Sequence, residues 1–219
     1  MEVDVAKTQT HSYFVEPATA ARLEAVARAL EANGFVTQLV ATAEEAKLAV
    51  LDLIPLGSEV HTGASATLET LGLPQEFESG RYDSVRPKYL KLDRQTQMPE
   101  LRKLVSAPQF MLASATAVTE SGSLVLASAT GSQLGAVVFG AGVVIFVVGA
   151  QKIVRDLDEA FRRVEEYCLP LEDQRAQRVY GEHSGVNMLL VLNKETLPSA
   201  TKRPPHRIHV VLVKEPLGV

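Results

Sequence analysis

Tryptophan is absent from this 219-residue chain, aromatic residues make up only 5% of it, and cysteine occurs once, as Cys168. Without tryptophan and with few other rings, the chain lacks the stacking platforms on which proteins hold single-stranded bases. One cysteine allows no internal disulfide, which fits a reducing cytoplasm. Nor can it supply the four thiolates of an iron–sulfur cluster, so any such cluster belongs to a partner. A positive surplus is missing too: 22 Lys and Arg stand against 26 Asp and Glu, for a net charge of −4. The basic stripe of a nucleic-acid binder is therefore not expected. The opening Met1 to Lys7 is acidic and polar, unlike a secretory signal. His206 and His209 have a spacing that metals use, but on a strand they face opposite sides, so no metal site is expected.

Long uncharged runs are scarce, with one exception. Residues 134–150 read LGAVVFGAGVVIFVVGA, close to the length of a membrane span. Four glycines interrupt the run, and Val143 to Val148 is strongly β-branched. The pattern predicts a short helix near Gln133 to Phe139, a glycine turn, and a central parallel strand buried on both faces. The remaining composition, 46% apolar and 22% charged, is that of a soluble globular domain.

What is present is a rhythm of alternating helices and strands. Leu23, Val26, Ala27 and Leu30 mark an apolar face in a helix from Pro17 to Asn33. Phe35 to Val40 alternates as a strand, and Thr42 with Glu45 forms a capping box for a helix through Leu53. Glu59 to His61 is a short strand that turns through small residues into a helix ending near Leu71. Residues 81–107 become charged and helical, and Arg86, Lys88, Lys91 and Arg94 make them the most basic segment. Such runs are commonly solvated helix faces, but here they can also form a lid. Gln109 to Ser114, Val186 to Leu192 and Ile208 to Val213 read as strands, and Leu197 to His206 as a loop or hairpin tip. Asp156 caps a helix from Leu157 to Cys168, and Pro170 opens another through Tyr180. The pattern predicts an α/β fold, with a mostly parallel central sheet flanked by helices. A helical N-terminal region precedes it, and a helical, lid-like insertion lies near 81–106. The expected organisation is a tail over 1–16 and one domain over 17–219.

Candidate binding residues lie in three small-residue turns. The first is Thr62, Gly63, Ser65 and Thr67, between a strand and a helix N-terminus, where unpaired N–H groups suit an anion. Neither a G-K-[ST] element nor a G-x-G-x-x-G fingerprint is present. The second turn, Glu120, Ser121 and Gly122, and the third, Thr130, Gly131, Ser132 and Gln133, bracket the apolar strand Leu124 to Ala127. Either they form the lip of a pocket or they are two polar turns beside a core strand. If the first and third turns share a sheet edge, Lys152 and Arg86 are the cations that join them, because ligands of open α/β sheets bind beyond the strand C-termini.

The ordered series VTESGSLVLASATGSQL, VVGAQKIVRDLDEA, LPLEDQRA and SGVNMLLVLNKE resembles the LUD (lactate-utilisation) domain family. The upstream TGASATLE and YDSVRPK segments are similar to its small single-domain members, so the likeness runs from about Ala18 to Val213. It implies a fold similar to ribose-5-phosphate isomerase and coenzyme A transferases. It also implies a role in lactate or 2-hydroxy acid use as a small-anion-binding protein, an accessory subunit beside iron–sulfur partner proteins. The alternative is a stand-alone enzyme with transferase-like or isomerase-like chemistry, in which Glu120 acts as nucleophile. The cofactor is left unknown; charge and the glycine-broken apolar run give no expectation of a nucleic-acid or membrane partner, and a homodimer is an open expectation.

Overall fold

A computed structural model describes residues 13–195 and 206–219. Most of the tail expected over 1–16, and the loop expected over 197–206 apart from His206, lie outside the described residues. Within that tail Phe14 is buried, and its ring meets Tyr167 at 6.2 Å.

Six strands form one sheet. They are β1 (Val36–Val40), β2 (Glu59–Thr62), β3 (Asp83–Ser84), β4 (Phe110–Ala113), β7 (Val143–Gly149) and β10 (Ile208–Val213). Their order is β1-β10-β7-β4-β2-β3, and every pairing is parallel. The apolar run 134–150 thus becomes a short π-helical turn, Ala136–Gly140, then a central strand buried from Val144 onward. Strand β7 lies between β4 and β10, which explains why its sequence lacks a polar face.

Helices cover both faces. On one, α1 (Ala20–Ala32) packs Leu23, Val26 and Leu30 against Val144, Phe146 and Val210. On the other, α2 (Ala43–Asp52) and α3 (Ala66–Thr70) pack Ala46, Val50 and Leu68 against Val60, Leu112 and Ile145. The Thr42 hydroxyl accepts from the Glu45 N–H, and the Thr19 hydroxyl from that of Arg22, so α2 and α1 are both capped by side chains. Helix α4 (Leu73–Phe77) comes next, opened by Gly72.

The basic segment is less purely helical than its sequence suggests. Asp83 and Ser84 are extended and pair with β2, because Val60 and Glu59 offer them an open sheet edge. Only then do α5 (Val85–Tyr89) and α6 (Met98–Ser106) form. At the end of α6 the Ser106 carbonyl lies against Gly140, where any β-carbon would collide with it.

A second, four-stranded sheet is the feature that periodicity did not foretell. It comprises β5 (Ala117–Thr119), β6 (Leu124–Ser128), β8 (Ile153–Val154) and β9 (Met188–Leu192), in the order β8-β5-β6-β9. It branches from the C-terminal end of β4 and contributes Val118 and Leu124 to the first core face. Helix α7 (Leu157–Arg163) passes through a π-turn, Val164–Cys168, into α8 (Leu169–Tyr180). It closes a third small core made by Ala117, Val125, Val154 and Ala160.

Candidate functional site

Strands β2, β4 and β7 end side by side, and the segments leaving their C-terminal ends meet at one point. Beyond β4 stands Ser114, beyond β2 the chain enters α3 at Thr67, and beyond β7 a single 3₁₀ turn, Ala150–Lys152, carries Lys152 inward. The lysine is buried, at 3% exposure, not solvated in a loop. Its Nζ donates to Thr67 Oγ1 at 2.8 Å and Ser114 Oγ at 3.1 Å. Both hydroxyls pass their own protons on, Thr67 to the Leu217 carbonyl and Ser114 to the Val147 carbonyl. Neither hydroxyl can neutralise the amine. Burial, then the charge of Arg163, lowers the Lys152 pKa to about 7, against a smaller upward pull from Cys168.

Arg163, at the end of α7, is fully buried. One terminal nitrogen, Nη1, donates to the Thr116 carbonyl at 2.6 Å and to Cys168 Sγ at 2.9 Å, and the guanidinium sits 5.1 Å from the Tyr167 ring centre. Its Nε and Nη2 are buried without a hydrogen-bond partner. That is the side-on edge with which arginine grips a carboxylate through two parallel bonds. Burial holds its pKa below the usual guanidinium value, and the charges that oppose this come from Cys168 and Tyr167. Burial likewise pushes the Cys168 thiol up, although Arg163 and Lys152 oppose this.

Thus two buried cations lie in one electrostatic neighbourhood, and no carboxylate among the described residues bonds to either. The C-terminal segment lies over the lysine's side of this neighbourhood, where the Leu217 carbonyl accepts from Thr67. Gln151 donates to the carbonyls of Leu217 and Gly218 and accepts from the Leu217 N–H at 3.1 Å. Gly218 has φ +65°, and a β-carbon there would stand 2.5 Å from the Thr67 N–H nitrogen. Only glycine lets the segment lie so close. The surface depressions lined by Lys47, Gly72 and Gln75 and by Glu59, Lys103 and Leu104 include none of these side chains.

A second polar group lies under α5. His61 is buried, its ring meets Tyr89 edge-on at 5.7 Å, and its Nδ1 is unpartnered. Burial, and then Arg86, lowers its pKa to about 4, so the imidazole is neutral near pH 7. The hydroxyls of Thr62 and Ser84 are also buried without partners.

The residues singled out from sequence therefore separate into groups. Thr67 and Lys152 are in direct contact, while Ser65 caps α3 through the Leu68 N–H at 3.4 Å. Gly63 comes directly after β2 and donates its N–H to Leu112. Arg86 pairs with Glu78 at 3.7 Å. Glu120 does not meet the condition for a poorly hydrated nucleophile: its side chain is 48% exposed and ion-paired with Arg22 at 2.6 Å. Ser121 and Gly122 accept from the Asn33 side-chain amide through their carbonyls, tying that turn to the end of α1. In the third turn Thr130 donates to Ser132, Ser128 bonds Gln133 and the Gly131 N–H, and Asn187 donates to Ala129. These bonds close the turn on itself and on the approach to β9. Ser114, Gln151 and Arg163 were not anticipated. The available signal was spacing, since Arg163 lies three residues after Ala160 and four before Tyr167, on the inward side of its helix.

Comparison with known proteins agrees with this architecture. The model of a family described as the LUD domain matches residues 23–213. Among solved structures, a DUF162 family protein from Deinococcus radiodurans superposes with a TM-score of 0.53 at 17% identity, covering 90% of this chain and 99% of that one. No curated protein matches the chain.

Proposed function

The chain belongs to the LUD domain family, and from that premise we propose that it binds a small carboxylate, of the 2-hydroxy acid class, between Lys152 and Arg163. The observation that carries this reading is the unspent Nε and Nη2 edge of Arg163, buried near a second buried cation. An uncompensated charge in a protein interior is costly, so a site holding two of them is suited to an anion. Thr67 and Ser114 supply hydroxyls on the lysine side. Thr62, whose hydroxyl is also unspent, lies on β2 in register with Leu112, two residues before Ser114.

The family's link with lactate makes a role in lactate or related 2-hydroxy acid use the fitting context. Any iron–sulfur cluster of such a system lies in partner proteins, since this chain has one cysteine. The chain then serves as the acid-binding subunit. A nucleophilic Glu120 has no support in the geometry around it.

Calorimetric titration of L-lactate into the protein tests the reading. Saturable binding is expected, weakened at least about tenfold in Lys152→Met and unchanged in Glu120→Gln. Equal affinity in parent and Lys152→Met would remove the cluster from the site.

A further inference from the structure

We propose that Lys152 is an imine-forming amine that condenses with a small aldehyde or ketone bearing a carboxylate, whose charge Arg163 receives. This deepens the reading above and rests on it, because the anion must enter the same cluster.

The geometry suits amine chemistry better than simple charge pairing. A lysine kept only as a cation normally meets a carboxylate, and this one meets two hydroxyls. Both of those already donate to backbone carbonyls, so they hold Nζ in place as acceptors without charging it. The pKa near 7 leaves much of the amine unprotonated at neutral pH, which is the form that attacks a carbonyl. Leu217 and Gly218 lie over Thr67 and Gln151, on the lysine's side of the cluster.

In the reaction the Nζ lone pair forms a bond to the carbonyl carbon. A proton passes from nitrogen to the carbonyl oxygen, with the Ser114 and Thr67 hydroxyls within reach of the nitrogen. The resulting hydroxyl then takes the second proton that the nitrogen gives up as the carbon–oxygen bond breaks, so that water leaves and a neutral carbon–nitrogen double bond remains. No oxidant or reductant is consumed. A carboxylate beside the carbonyl would take the open edge of Arg163.

Reductive trapping tests this. The full chain is treated at pH 7 with glyoxylate and cyanoborohydride, and in parallel with propanal, which carries no charge. The modified peptides are then mapped by mass. The result expected is a single main adduct on the peptide holding Lys152, heavier by the acid less one oxygen atom. Glyoxylate should label that peptide at least about tenfold faster than propanal, and Arg163→Met should abolish the preference. Mapping the parent chain locates the adduct without relying on any variant to fold. If glyoxylate modifies only other lysines and leaves the Lys152 peptide intact, the imine proposal is overturned. Should lactate still bind saturably and depend on Lys152 in that case, the anion site stands without it.

Discussion

A lysine and an arginine are the residues on which this fold spends stability. Lys152 has a folded pKa of about 7 against an ordinary 10.5. The unfolded chain therefore binds more protons between those values, and stability rises as the pH climbs from 7 towards 10.5. Below pH 7 both states carry the charge and the penalty is at its full size, on the order of a few kcal/mol. Urea unfolding should show a rise across pH 7 to 10 in the parent that is much smaller in Lys152→Met. At pH 7 the variant should be at least as stable as the parent, because a methionine fills the space without the charge. Loss of stability at every pH would mean that the amine is a structural linchpin. His61 works in a lower window. Its folded pKa is about 4, so the stability it contributes as a neutral ring is lost as pH falls from 6.5 to 4. His61→Phe, which keeps a ring against Tyr89, should flatten the acid side of the stability profile relative to the parent. An unchanged acid slope would show that the ring takes up its proton as readily in the fold as in the unfolded chain.

At the scale of elements, the same turn vocabulary serves two different purposes. The T-E-S-G turn reads as a pocket lip, yet Gly122 has φ +79° and a β-carbon there would stand 2.7 Å from the Ala29 backbone. Its glycine is required by the approach of α1, and Asn33 fastens the turn from the end of that helix. Gly122→Ala should cost about 2 kcal/mol or more of stability, while lactate affinity per folded molecule stays unchanged. A stable variant with weakened binding would return this turn to the site. The helices and parallel strands were legible because 3.6-residue and β-branched patterns report burial directly. That Thr67 and Lys152 meet was legible because both follow strands whose C-terminal ends share one edge of the parallel sheet. The second sheet was not, since β5 and β8 are too short, at three and two residues, to carry a period. Arg163 was not either: its spacing from Ala160 and Tyr167 points inward, but an arginine is ordinarily found in water, and its charge outweighed that signal.

For the whole molecule, the two sheets and their helices place a parallel edge, a branch sheet and the C-terminal segment around one buried pair of cations. No helix among the described residues is long and apolar enough to cross a membrane. No group of three or more metal-binding side chains occurs among them either. On the proposed reading an anion takes its place beside Lys152 and Arg163. The most direct test of that reading is the titration of the Lys152 ammonium by NMR, with isotope in the lysine side chains, before and after saturation with L-lactate. A carboxylate bound beside the amine favours its charged form. An apparent pKa near 7 is expected in the free protein, rising by at least about one unit on saturation. A pKa that stays where it was, while lactate demonstrably occupies the protein, would contradict that reading.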